Sequence, residues 1–270
     1  MAKYKKKRAR ELQHDRFRDT AMTVFERLGE RLEGKGKTIL YGLTGALAIV
    51  IAVWIGVTLH DKHADEARRA LGRAITISTA SISLAPSDNT TTLSFTSEQE
   101  RAQKAIDEFQ KVAAKYGEPY RSEARYFSAT NLLYVDRNRG ISELTDLSKS
   151  NLNDITVLAR FALGQAKEAD AKFDEAAALY NELARQNSAI ITPETANLRL
   201  AVVYEKQGKK KEAADLLFNL VDTARKARDA DGIPLPPSAA ATEAAKELQK
   251  LDPDRYAQLP PEAPAGNVSF

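Results

Sequence analysis

Imidazoles are scarce in this chain: His14, His60 and His63 are the only three among its 270 residues. His60 and His63, with Asp61 beside them, are spaced so that one helical turn brings two ring nitrogens and a carboxylate toward one metal ion. A metal site takes three or four ligands held by an ordered second shell, and this trio falls short of that. No metal is therefore expected, and the pair is read as lying at the headgroup level beside the apolar run that precedes it. Cysteine is absent altogether, which excludes disulfides, thiolate metal sites and a cysteine nucleophile. The sequence has no glycine-rich phosphate loop, no Gly-x-Ser-x-Gly elbow and no zinc-protease helix motif. Asn89-Thr90-Thr91 and Asn267-Val268-Ser269 fit the glycosylation pattern, but so short a pattern recurs by chance. The acidic cluster Asp170–Glu175 reads as the solvated face of a helix turn. Neither a catalytic constellation nor a cofactor site emerges, so the expectation is a binding protein and not an enzyme.

The apolar run is Thr38–Leu59, 22 residues without a charge. As a helix it spans about 33 Å, enough for the hydrocarbon core of a bilayer. It is too long for the apolar core of a signal peptide, and no small-x-small cleavage site precedes His60-Asp61-Lys62, so an uncleaved anchor is expected. Residues 1–37 carry 12 Lys/Arg against 6 Asp/Glu, while the remainder carries 28 against 31. The basic character therefore sits in a leader, which the positive-inside rule keeps in the cytoplasm while residues 60–270 cross. Lys5, Lys6, Lys7, Arg8 and Arg10 form a charge run. Phe17, Ala21, Val24, Phe25, Leu28 and Leu32 then mark an amphipathic helix suited to anionic lipid headgroups, with no nucleic-acid motif beside it. Within the span, Thr44, Ala48, Ala52 and Gly56 recur every fourth residue. Such a small-residue stripe would let another helix approach closely, including a second copy of the chain.

Beyond the span the periodicity is helical. Ala64, Ala67, Leu71, Ala74 and Ile75 continue at 3–4 spacing, followed by a Ser/Thr-rich stretch, Ser78–Thr96, read as a loop. Ser97 and Glu100 make a capping box that opens a helix near Glu98. A second helix over Tyr120–Val135 is expected to break at Arg139-Gly140, with a short helix after it. Helix pairs follow at 154–167 with 173–186, and at 193–207 with 211–227. Pro193 suits a first helical turn and Gly208 marks a tight turn. A Pro-rich break then leads to a capping helix within 231–258, with Ala244, Leu248 and Leu251 inward. The tail, 259–270, is expected to be disordered.

These pairs carry a specific pattern. Leu200, Ala201 and Tyr204 precede Gly208, and Ala213, Leu217 and Leu220 follow it; Leu163, Gly164, Ala176, Tyr180 and Leu183 repeat the arrangement upstream. The chain here resembles the tetratricopeptide repeat family, with Arg160 and Lys167 standing where that family has apolar or aromatic residues. With the leader, the single span and the degenerate repeats, the chain over roughly residues 30–230 resembles the ancillary subunit of the bacterial Sec translocon. That resemblance implies an all-α, tetratricopeptide-like helical-hairpin domain over 60–230 on the periplasmic side of the inner membrane. Its implied partners are translocon subunits and periplasmic chaperones or substrates. Spacing on the first helix of each pair nominates a protein-binding groove of Leu158, Phe161, Gln165 and Glu168, then Leu198, Val202 and Glu205. The alternative is a cell-envelope organiser that self-associates through the Thr44–Gly56 stripe and the helical domain.

Overall fold

The computed structural model describes residues 63–83 and 93–262, apart from the side chain of Asn153. The leader, the span with its Thr44–Gly56 stripe, and most of the Pro-rich tail lie outside the described residues. No helix among the described residues is long and apolar enough to cross a membrane. Contacts divide the chain into two units at Ala64/Asp65, and the second holds nearly all of the described residues.

The unit is predominantly helical, with each helix packed on the next. Helix α1 covers 63–78. After it, β1 (Ser81–Ile82) and β2 (Ser94–Phe95) pair in parallel, Ser81 opposite Ser94. Part of the expected loop is thus a minimal strand pair, which α2 anchors when Arg101 donates to the Ala80 carbonyl at 3.2 Å. Then come α2 (Glu98–Lys115), α3 (Tyr120–Val135) and α4 (Arg137–Ser148). The pair α5 (Asn153–Ala169) and α6 (Phe173–Arg185) is followed by α7 (Pro193–Lys206) and α8 (Lys210–Lys226). Helices α9 (Ala239–Leu251) and α10 (Pro253–Tyr256) close the order.

Local chemistry sets the starts of these helices. The Ser97 hydroxyl accepts from the Glu100 N–H at 3.1 Å, as expected of a capping box. The Glu100 carboxylate, however, reaches one residue further back, accepting from the Thr96 N–H at 3.0 Å and its hydroxyl at 2.6 Å. Thr192 caps α7 with Pro193 in its first turn, and Ser238 caps α9. A side-chain cap of this kind is worth about 1 kcal/mol.

Gly140 does not break a helix. The break falls at Asp136, whose side chain caps α4 by accepting from the Arg139 N–H, and Gly140 lies buried within α4. A Cβ there would stand 2.9 Å from the Leu133 nitrogen and 3.0 Å from the Ala129 carbonyl oxygen. Its role is to let α3 and α4 touch backbone to backbone.

The interior is a series of apolar clusters along the chain. The first joins Leu71 and Ala74 of α1 to Phe109 and Ala124, with Phe109 stacked on Phe127 at 5.4 Å. The second joins α3, α4 and α5 through Ala129, Leu144, Leu147 and Ala159. The third joins α6 to α7, and the fourth packs α8 on α9. The fourth also takes in Leu259, only 8% exposed, although sequence placed it in the tail. Arg225 holds that segment by donating to the Pro260 carbonyl and the Tyr256 hydroxyl, and Arg255 pairs with Asp215.

Gly140→Ala should destabilise the unit by about 1–3 kcal/mol, since the atoms in its way are backbone and cannot rotate aside. Denaturant unfolding checks this, and a cost near zero would mean that α3 and α4 do not approach so closely.

Candidate functional site

The two pairs α5–α6 and α7–α8 repeat one construction at an offset of 37 residues. In the first turn Asp170, Ala171 and Lys172 donate to the carbonyls of Ala166, Glu168 and Lys167; in the second Gln207, Gly208 and Lys209 donate to those of Val203, Glu205 and Tyr204. The middle residue is left-handed in both, Ala171 at φ 57° and Gly208 at φ 77°. Glycine takes that conformation freely, and alanine at a cost of about 1 kcal/mol.

The seven nominated residues do not form one uniform surface. Gln165 and Glu205 are exposed and Val202 is half-buried. Leu158 and Phe161 are partly buried against the α6–α7 cluster, the Phe161 ring 5.9 Å from that of Tyr180. Leu198 packs toward α8 and α9. Glu168 is buried, with 5% of its side chain exposed, and its carboxylate is bonded to Tyr180 of α6 and to Arg199 and Lys206 of α7.

Glu168 joins the two hairpins. One carboxylate oxygen accepts from Lys206 at 2.7 Å, and the other accepts from Arg199 and, at 3.2 Å, from the Tyr180 hydroxyl. Arg199 also lies 6.0 Å over the Tyr180 ring. Burial favours the neutral acid, but hydrogen bonds and charge from Lys206 and Arg199 outweigh it and hold the carboxyl below its ordinary value of 4.5. Burial pushes the Tyr180 phenol up, so it stays protonated and donates. Gly164 makes the arrangement fit, because a Cβ there would meet the Tyr180 ring at 2.7 Å. At the equivalent positions of the next pair, Ala201 and Leu217 are buried in one apolar cluster and Glu205 is exposed. The network therefore belongs to this one junction.

The two departures from the repeat pattern are each explained by a partner. Lys167 pairs with Glu175 at 2.6 Å. Arg160 donates through Nε to the Ser148 carbonyl at 3.2 Å, satisfying an orphan acceptor at the end of α4. Arg160 also lines an open cleft of about 770 Å³ between the α4–α5 turn and the α6–α7 loop. Periodicity could not indicate this cleft, because its walls are two loops 36 residues apart, Ser150 on one and Gln186 on the other. The only signal was Arg160 itself, a charge where the pattern is apolar.

No group of three or more His, Asp or Glu side chains among the described residues is placed to hold a metal ion; His60 and Asp61 lie outside them. Compared with known proteins, the chain matches no family model, no curated protein and no solved structure at a significant level.

Removing Arg199 should cost more than removing Glu168. Arg199→Met leaves a buried carboxylate with one cation and is expected to lose about 2–3 kcal/mol, whereas Glu168→Gln leaves two cations that water reaches and loses about 1 kcal/mol. The native pKa of Glu168 is depressed, so its contribution is full above the ordinary value of 4.5 and lost as pH falls through the native value. Denaturant unfolding of wild type and Glu168→Gln should thus differ most near neutral pH and converge in acid; a constant difference would remove the carboxylate from the account.

Proposed function

We propose that this chain is a membrane-anchored, tetratricopeptide-like scaffold that binds proteins at the extracytoplasmic face of a bacterial inner membrane. Its task on this reading is ancillary to protein translocation or to chaperone handover. The observation that carries the proposal is the pair of hairpins with one turn geometry at a fixed offset. Stacked hairpins of this type leave the first helix of each pair with a surface free for a partner. Gln165 of α5 and Glu205 of α7, each on the first helix of its pair, are exposed.

The apolar run Thr38–Leu59 supplies the anchor, and the basic leader supplies orientation together with contact to anionic lipid headgroups. Anchoring raises the effective concentration of the helical unit near a membrane partner, so modest contacts suffice. Translocon subunits, periplasmic chaperones and their clients are the partners this reading names.

Photocrosslinkers at Gln165, Glu205 and Ala48 in living cells test it, with captured proteins identified by mass spectrometry. Capture of translocon subunits or extracytoplasmic chaperones from the two helical positions is the expected result. Capture of the chain itself or of envelope-assembly factors alone would replace the proposal with a self-associating envelope organiser.

A further inference from the structure

The cleft beside Arg160 has a defined chemistry. The Arg160 guanidinium is positioned by Nε on the Ser148 carbonyl, and among the described residues it has no acidic partner. An arginine held at one nitrogen presents its remaining N–H groups as a fixed fork, the geometry that takes a carboxylate by two parallel bonds.

The walls are set by their own hydrogen bonds. The Ser150 hydroxyl donates to Leu147 and lies 3.0 Å from the Thr156 hydroxyl, which donates to the Ser150 carbonyl. Opposite, the Ser188 hydroxyl accepts from the Ile190 N–H at 3.2 Å. Neither wall has to be ordered by a ligand, which lowers the entropic cost of binding. Ile190, 41% exposed, and half-buried Val157 add apolar surface to the same cleft.

We propose that this cleft binds an extended segment of a partner protein, with an acidic side chain on the Arg160 fork and a neighbouring apolar side chain against Ile190 and Val157. The proposal rests on the scaffold reading and gives that scaffold a second contact, apart from the exposed positions of the first helices. Asp154, an exposed residue lining the same cleft, repels further acidic residues on the segment, so one carboxylate at the fork is favoured over a polyanion.

The test uses the detergent-solubilised full chain and a short fluorescein-labelled peptide of alternating leucine and serine around a single glutamate, compared with its glutamine counterpart. Fluorescence anisotropy should show the glutamate peptide binding about tenfold more tightly than the glutamine one, the scale of a charge-assisted bidentate contact. Arg160→Gln should abolish the preference. Asn187→Asp, which adds a negative charge to the opposite wall and leaves Arg160 in place, should weaken the glutamate peptide while sparing the glutamine one. Melting temperatures show whether each variant is folded, and the Asn187 variant decides the matter if Arg160→Gln does not fold. Equal binding of both peptides to wild type, or a preference that survives in Asn187→Asp, would overturn the proposal. Either result alongside partner capture from Gln165 and Glu205 would leave the scaffold reading standing.

Discussion

Two helices packed side by side cannot cover the apolar stripes that each presents, so every hairpin in this chain requires a neighbour. The structure depends on that constraint. It divides the interior into clusters that each join adjacent helices, α1–α2–α3, then α3–α4–α5, then α6–α7, then α8–α9. Close approach is what makes such clusters dry. It is obtained by omitting atoms: Gly140 against Ala129 and Leu133, and Gly164 against Tyr180, with alanines at Ala176, Ala196 and Ala213 fully buried. The series ends where α9 and Leu259 cover α8, which otherwise would leave Leu217 and Val221 facing water.

One junction adds a polar lock to this apolar scheme. Between α5–α6 and α7–α8, Glu168 gathers Tyr180, Arg199 and Lys206. A buried carboxylate is expensive without partners and roughly neutral with them, so the network adds little net stability. Its geometry depends on register: a shift of α7 along α5 would strand the carboxylate, whereas an apolar seam tolerates sliding. The cations keep a path to water, with 33% of the Arg199 and 47% of the Lys206 side chain exposed, while the anion does not. The lock is therefore most sensitive to loss of its positive members.

The helices were legible in sequence because their signals are local. Apolar residues at 3–4 spacing, Ser97 as a cap, Pro193 in a first turn and Gly208 at a tight turn each act within a few residues. Gly140 was misread for the same reason. In isolation a glycine signals a break, and only the backbone of α3 passing beside it turns that signal into a packing contact. Glu168 was nominated for a groove because its spacing along α5 matches Phe161 and Gln165; its burial is due to Arg199 and Lys206, 31 and 38 residues later.

The sequence by itself determined the helical class, the hairpin boundaries to within a few residues, the 37-residue offset and the charge asymmetry between leader and remainder. All of these follow from interactions along one helix or across one turn, whose distances are set by covalent geometry. Tertiary structure alone decided that Glu168 is a lock, that Leu259 belongs to the core, and that Arg160 opens onto a cleft built from two loops. Those outcomes depend on how separate helices are rotated about their axes, and that rotation follows from the fit of many side chains at once.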